Sequence, residues 1–176
     1  MGRLIAGRGR GRARSWVTLA VACLVAAGCT GNGATATRFE DARVVVHVSV
    51  EGSGPARTVV ASFEPTEEHL HLYGLEMADG GINGAGRPTR LTVVDPAWRA
   101  TGPPQPSVQS QLVPLAGFDE PFPIYPDGPV TIRQDIEPVG THTNEAIKVT
   151  VTFMACSSAG LCFKPVIAEP LEVALT

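Results

Sequence analysis

From residue 43 onward, apolar and polar positions alternate along the chain with a period of two, the spacing that puts successive side chains on opposite faces of a strand. "RVVVHVSVEG" places Val44, Val46, Val48 and Val50 on one face and Val45, His47 and Ser49 on the other. "HLHLYGLEM" alternates too, with Leu70 and Leu72 opposing His69, His71 and Tyr73. "RLTVVD", "VTIRQDI", "AIKVTVTF" and "LEVAL" continue the series, and "EGSGP", "DGGINGAG" and "YPDGP" punctuate it with turn-forming residues. No stretch keeps a helical period over three turns, and 15 prolines and 19 glycines accord with many turns and edges. Roughly seven or eight short strands in about 140 residues predict one domain with one core. The expected fold is all-β, an immunoglobulin-like antiparallel β-sandwich, with a barrel as the structural alternative. The proline-rich "DPAWRATGPPQPSVQS" is expected as a surface excursion from that domain, because strand-like sequence resumes after it.

The amino-terminal pattern is of another kind. Met1 to Ser15 carries Arg3, Arg8, Arg10, Arg12 and Arg14 and no acid, and Trp16 to Ala27 is apolar. These are the basic and hydrophobic regions of an export signal, too short to cross a bilayer core that needs about twenty residues. The end of the run, "LVAAGC", resembles a bacterial lipobox, in which the cysteine is lipidated and becomes the first residue of the mature protein. That resemblance implies a lipoprotein signal peptide over 1–28, lipidation of Cys29, and an extracytoplasmic domain lipid-anchored to the bacterial cell membrane. An ordinary secretory signal is the other reading. The polar "TGNGATATR" suits a flexible tether over 29–38, which leaves 39–176 as the domain.

Removal of 1–28 changes the charge. All 17 acids lie beyond it but only 9 of the 14 Lys and Arg do, so the remaining chain carries a formal charge of −8. Nucleic acid is thereby a poor partner. Of the four cysteines, Cys23 leaves with the signal and Cys29 is taken by lipid, so Cys156 and Cys162 remain, in a compartment where disulfides form.

Those two flank "SSAGL", whose Ser157, Ser158 and Gly160 are turn formers between two extended runs. The simplest geometry is a hairpin-like loop with the cysteines facing at its mouth, where strands about 4.8 Å apart suit a disulfide's usual Cα separation of about 4.4 to 6.8 Å. Such a bond is feasible but a weak staple, restricting the unfolded chain by roughly 2 to 3 kcal/mol against nearly 5 for a hundred-residue loop. Accessible, local disulfides are the exchangeable ones, so exchange and a structural bond both stand on these grounds. Zinc or copper held by the cysteines with His69, His71 or His47 is a further reading, set back by a spacing unlike the usual C-x₂₋₄-C. No C-x-x-C of thioredoxin type is present.

"VTVTFMACSSAGLCFKPV" resembles the active-site hairpin of the DsbD N-terminal periplasmic domain family: a strand, then Cys156, Ala159-Gly160, Leu161, Cys162, Phe163 and Pro165. Lys164 stands where the family often has a proline. "FDEPFPIYPDGPVTI" is similar to that family's cap loop, with Asp119 and Glu120 as its acidic pair and Phe122 or Phe118 as the aromatic that folds over the disulfide. Phe122 is favoured, since it follows the acids and Pro121 stiffens the loop. "HLHLYG", with Tyr73, is a weaker match to the aromatic strand before the cap.

The resemblance implies a thiol-disulfide interchange domain that uses no cofactor. Cys162 forms the mixed disulfide and Cys156 resolves it. The implied partners are thioredoxin-like oxidoreductases and a membrane electron-transfer protein supplied as separate polypeptides. Lys164 would lower the thiol pKa of Cys162 if it points at the sulfur, while Asp119 and Glu120 would raise it if the cap brings them near. The rival reading is a non-enzymatic lipoprotein, a binding or assembly module whose disulfide pins a hairpin.

Overall fold

The computed structural model describes residues 36–141 and 145–175, so the expected signal peptide, most of the tether and Cys29 lie outside the described residues. Thirteen strands and no helix occur among them. In chain order they are β1 (Thr37–Asp41), β2 (Val44–Glu51), β3 (Arg57–Pro65), β4 (Leu70–Leu72), β5 (Arg90–Val93), β6 (Trp98–Ala100) and β7 (Gln105–Pro106). These are followed by β8 (Gln111–Val113), β9 (Phe122–Ile124), β10 (Val130–Pro138), β11 (Ala146–Phe153), β12 (Ala155–Ser157) and β13 (Val166–Ala174).

One sheet runs β1-β2-β3-β10-β6, with β7 also on β10, and a second runs β13-β11-β5, with antiparallel pairing throughout. The alternation read from the sequence dictates how they face. Val44, Val46, Val48 and Val50 of β2, with Val59, Ala61 and Phe63 of β3, meet Ile147, Val149, Val151 and Phe153 of β11 in a single core. Phe63 and Phe153 join the sheets edge to face, ring centroids 5.8 Å apart, an arrangement favourable for aromatic pairs. Two packed sheets with open edges make this the expected all-β, immunoglobulin-like antiparallel sandwich rather than a barrel.

Two expectations are corrected. The segment after Asp95 is more than a surface excursion, because β6 and β7 extend the first sheet along β10, Trp98 opposite Pro138 and Pro106 opposite Ile132. The prolines sit where such a short edge tolerates a missing donor. The domain also begins before residue 39, since β1 starts at Thr37 and pairs with β2 through a two-residue turn at Ala42-Arg43, φ +48° and +63°. A turn with both central residues at positive φ usually advertises itself as Asn-Gly, and Ala-Arg gives no such signal.

Candidate functional site

The pair β4 and β12 separates the sandwich core from a second, smaller apolar cluster. Their register sets Ala155 opposite Leu72, Cys156 opposite His71 and Ser157 opposite Leu70. Leu72 and Ala155 turn into the sandwich core, whereas Tyr73 and Cys156 join Met77, Phe122 and Ile124 on the other side. Both faces of β4 are therefore covered, and His71 is buried where simple alternation leaves it facing water.

Beyond Cys156 the chain turns back at once. The Ser157 N–H donates to the Leu161 carbonyl at 2.7 Å, the Gly160 N–H to the Ser157 carbonyl at 2.9 Å, and the Leu161 N–H to Ser157 Oγ at 3.2 Å. Gly160 takes φ +85° at the tip, a conformation that favours glycine. The Phe163 N–H then donates to the Ala155 carbonyl at 2.9 Å, closing the hairpin around the cysteines. Cys156 and Cys162 form a disulfide with Cα atoms 4.0 Å apart. The two halves differ sharply in access: Cys156 is 1% exposed, and Cys162 lies on the exposed side of the loop beside Leu161, 64% exposed.

The disulfide borders a pocket of about 910 Å³. Tyr73 and Phe122 are buried in its wall, ring centroids 5.8 Å apart, and half-buried Phe118 stands edge-on to Phe122 at 4.8 Å. On another side Gly86, φ +76°, lets the chain close over Met77; a Cβ there would lie 3.1 Å from Met77 Sδ. Arg87 ties that loop together, donating to the carbonyls of Gly80 at 3.1 Å, Gly84 at 3.0 Å and Gly86.

The Tyr73 hydroxyl, from the residue after β4, reaches the sulfurs, and His71 of β4 packs against the Tyr73 ring. Tyr73 Oη donates to Cys156 Sγ at 3.1 Å and lies 4.0 Å from Cys162 Sγ. Burial raises the Tyr73 pKa above its ordinary value, so it remains a protonated donor at neutral pH. His71 packs edge-on against the Tyr73 ring, centroids 5.7 Å apart, with Nδ1 4.0 Å from Asp127 Oδ1. Burial lowers the His71 pKa, opposed by the Asp127 charge, so the ring is neutral at neutral pH.

Of the residues singled out from the sequence, Cys156, Cys162, Tyr73, Phe118 and Phe122 come together around this pocket. Asp119, Glu120 and Lys164 are exposed and lie outside its lining. The reason is local: Phe118 and Phe122 both turn inward, which leaves Asp119, Glu120 and Pro121 as the solvent side of the turn between them. Among the described residues no group of three His, Cys, Asp or Glu side chains is placed to hold a metal ion. The sequence reading considered His71 beside the cysteines only as a metal ligand, and did not assign Arg87, Met77 or Met154 to a site around the disulfide. For His71 the signal was present, because it shares a strand face with Tyr73 in "HLHLYG".

No family model and no curated protein matches the chain. Among solved structures it is similar to the N-terminal domain of Neisseria meningitidis DsbD in the reduced form, with 15% identity and a TM-score of 0.41 over 77% of this chain and 85% of that one.

Proposed function

We propose that this is an extracytoplasmic thiol-disulfide exchange domain, lipid-anchored through Cys29, that relays reducing equivalents through Cys156 and Cys162. A membrane electron-transfer protein or a thioredoxin-like donor reduces the pair, and the domain reduces client oxidoreductases in turn. The observation that carries this reading is the asymmetric disulfide: one cysteine exposed on a short loop, the other buried at an apolar pocket with a tyrosine hydroxyl on its sulfur. An exchange centre needs one sulfur that a partner can reach and one that is shielded until it resolves the mixed disulfide. The likeness of the cysteine hairpin to the DsbD N-terminal family at Cys156, Ala159-Gly160, Leu161, Cys162, Phe163 and Pro165, from which Lys164 departs, supports the same roles.

The reading is tested by equilibrating the protein in glutathione redox buffers and measuring the fraction oxidised. An exchange centre is expected to titrate well above about −300 mV, whereas a bond resisting reduction to below that value would make the pair structural. Replacing both cysteines with serine is expected to abolish exchange while lowering unfolding free energy by no more than about 3 kcal/mol, because the closed loop is so short. Urea denaturation checks this, and a variant that fails to fold where the oxidised protein does would favour the structural role.

The anchor has a separate test. A Cys29→Ser chain is expected to be recovered in the soluble fraction with its sandwich fold intact, since lipid on that residue is the proposed attachment. Continued membrane retention of the processed variant would remove the lipoprotein assignment without touching the cysteine chemistry.

A further inference from the structure

We propose that His71, supported by Asp127, is the proton acceptor for the Cys156 thiol when the disulfide re-forms. The inference rests on the exchange reading above and adds to it the group that makes the resolving step possible at neutral pH.

Cys156 in its reduced state would be a buried thiol against an apolar pocket, and such surroundings disfavour the thiolate that must attack. Something nearby has to accept the proton. The titratable side chains lining the pocket besides the cysteines are His71, Tyr73 and Arg87. Tyr73 is a protonated donor to the sulfur and a guanidinium offers donors but no acceptor, so neither Tyr73 nor Arg87 can take the thiol proton. His71 can, being buried and neutral.

Position agrees with that role. Residues directly opposed in an antiparallel pair project from the same face, and Cys156 is directly opposed to His71. With Nδ1 turned to Asp127 and the ring edge-on to Tyr73, Nε2 is the nitrogen left on the other edge of the imidazole. A buried imidazole in this largely apolar pocket also costs desolvation that an apolar residue there would not.

The step balances as follows. In the mixed disulfide between Cys162 and a client, the Cys156 proton passes to His71. The thiolate attacks Cys162 Sγ, the Cys156–Cys162 bond forms, and the bond from Cys162 to the client breaks. The client sulfur leaves as thiolate and is protonated by the imidazolium. The two thiols of the domain are oxidised and the client disulfide is reduced.

Several charges bear on the titration of His71. Asp127 from the loop before β10 favours its protonation, and exposed His69 shares that carboxylate at 4.0 Å. Arg87 lines the same pocket, its guanidinium turned to the carbonyls of Gly80, Gly84 and Gly86, and Tyr73 is neutral. Burial outweighs Asp127, so the His71 pKa is lowered and the base form is available at neutral pH.

The test uses the full chain, reduced and mixed with 5,5′-dithiobis(2-nitrobenzoate) from about pH 5 to about pH 9, a range that brackets histidine titration. The first thionitrobenzoate released reports attack by Cys162, and the second reports closure by Cys156. In the native chain closure is expected to hold a plateau through neutral pH and to fall on the acid side. His71→Phe is expected to slow closure about 100-fold at neutral pH and to make it climb with pH, leaving the first release unchanged. Asp127→Asn, a change at a partly exposed carboxylate, should shift the acid limb to lower pH because the charge that raises the His71 pKa is gone. A closure profile in His71→Phe that matches the native chain, or an acid limb unmoved in Asp127→Asn, would overturn the assignment. Absence of any release from the native protein would instead overturn the exchange reading on which it depends.

Discussion

A Cys156→Ser chain is expected to accumulate as a mixed disulfide through Cys162, while the Cys162→Ser chain stays almost inert toward bulky thiol reagents. The expectation comes from access. Cys156 is 1% exposed, covered by β4 on one side and by the Tyr73 and Phe122 cluster on another. Cys162 lies beyond the Gly160 turn, on the exposed side of the loop. Exchange requires an in-line approach of the attacking sulfur, so reach matters as much as thiolate fraction. Alkylation of the two reduced single-cysteine chains by a polymer-linked maleimide at equal pH should differ by on the order of 100-fold, Cys162 being the faster. A thioredoxin-like oxidoreductase presented to both should be trapped by the Cys156→Ser chain alone. Equal rates, or a faster Cys156, would reverse the order of attack and remove the proposed division of labour.

How much of this was legible beforehand differs from element to element, for physical reasons. The valines of β2 and the alternation in β10 and β11 report a strand with one face buried and one wet, and the sandwich follows from them. β3 carries the same signal in Val59, Ala61 and Phe63, though the sequence reading did not count it among its strands. The short strand β4 was legible in the alternation of "HLHLYGLEM", whereas β9 and β12, buried at nearly every position, lack the period that marks a half-buried strand. The function of β4 and β12 follows from their position between two apolar clusters: one face completes the sandwich core and the other presents Tyr73, His71 and Cys156 to the pocket. The cysteine pair was visible because its spacing is local. Its asymmetry was not, since which half of a hairpin is covered depends on β4, over eighty residues earlier in the chain, as the separation of 83 between Tyr73 and Cys156 records. The acidic pair misled for a related reason: proximity in sequence to Phe122 does not fix direction, and Asp119 and Glu120 point to solvent.

The cap residues give the second large effect, and the structure divides them in a way their order in the chain does not. Phe122 is 1% exposed and part of the wall, packed on Tyr73, while Phe118 is half-buried and stands edge-on to it at the pocket's margin. Phe122→Ala is therefore expected to lower stability by about 3 to 5 kcal/mol, the usual cost of removing a buried phenylalanine. Phe118→Ala is expected to cost only about 1 kcal/mol, as for a side chain that is partly wet already. Both should speed reduction of the disulfide by dithiothreitol, but by different routes. Loss of Phe118 opens the margin of a folded pocket, so a several-fold acceleration should appear with no change in unfolding rate. Loss of Phe122 admits reductant both through the breached wall and through more frequent unfolding, so its larger acceleration should fall partly away when the unfolding rate, measured separately in urea, is taken into account. The sequence favoured Phe122 as the aromatic that shields the sulfurs. That assignment stands if Phe122→Ala still reduces faster than Phe118→Ala after this correction, and it passes to Phe118 if the order reverses. If Phe118→Ala reduces at the native rate and Phe122→Ala accelerates only in proportion to its unfolding, neither ring shields the disulfide and the loop from Phe118 to Phe122 is wall alone.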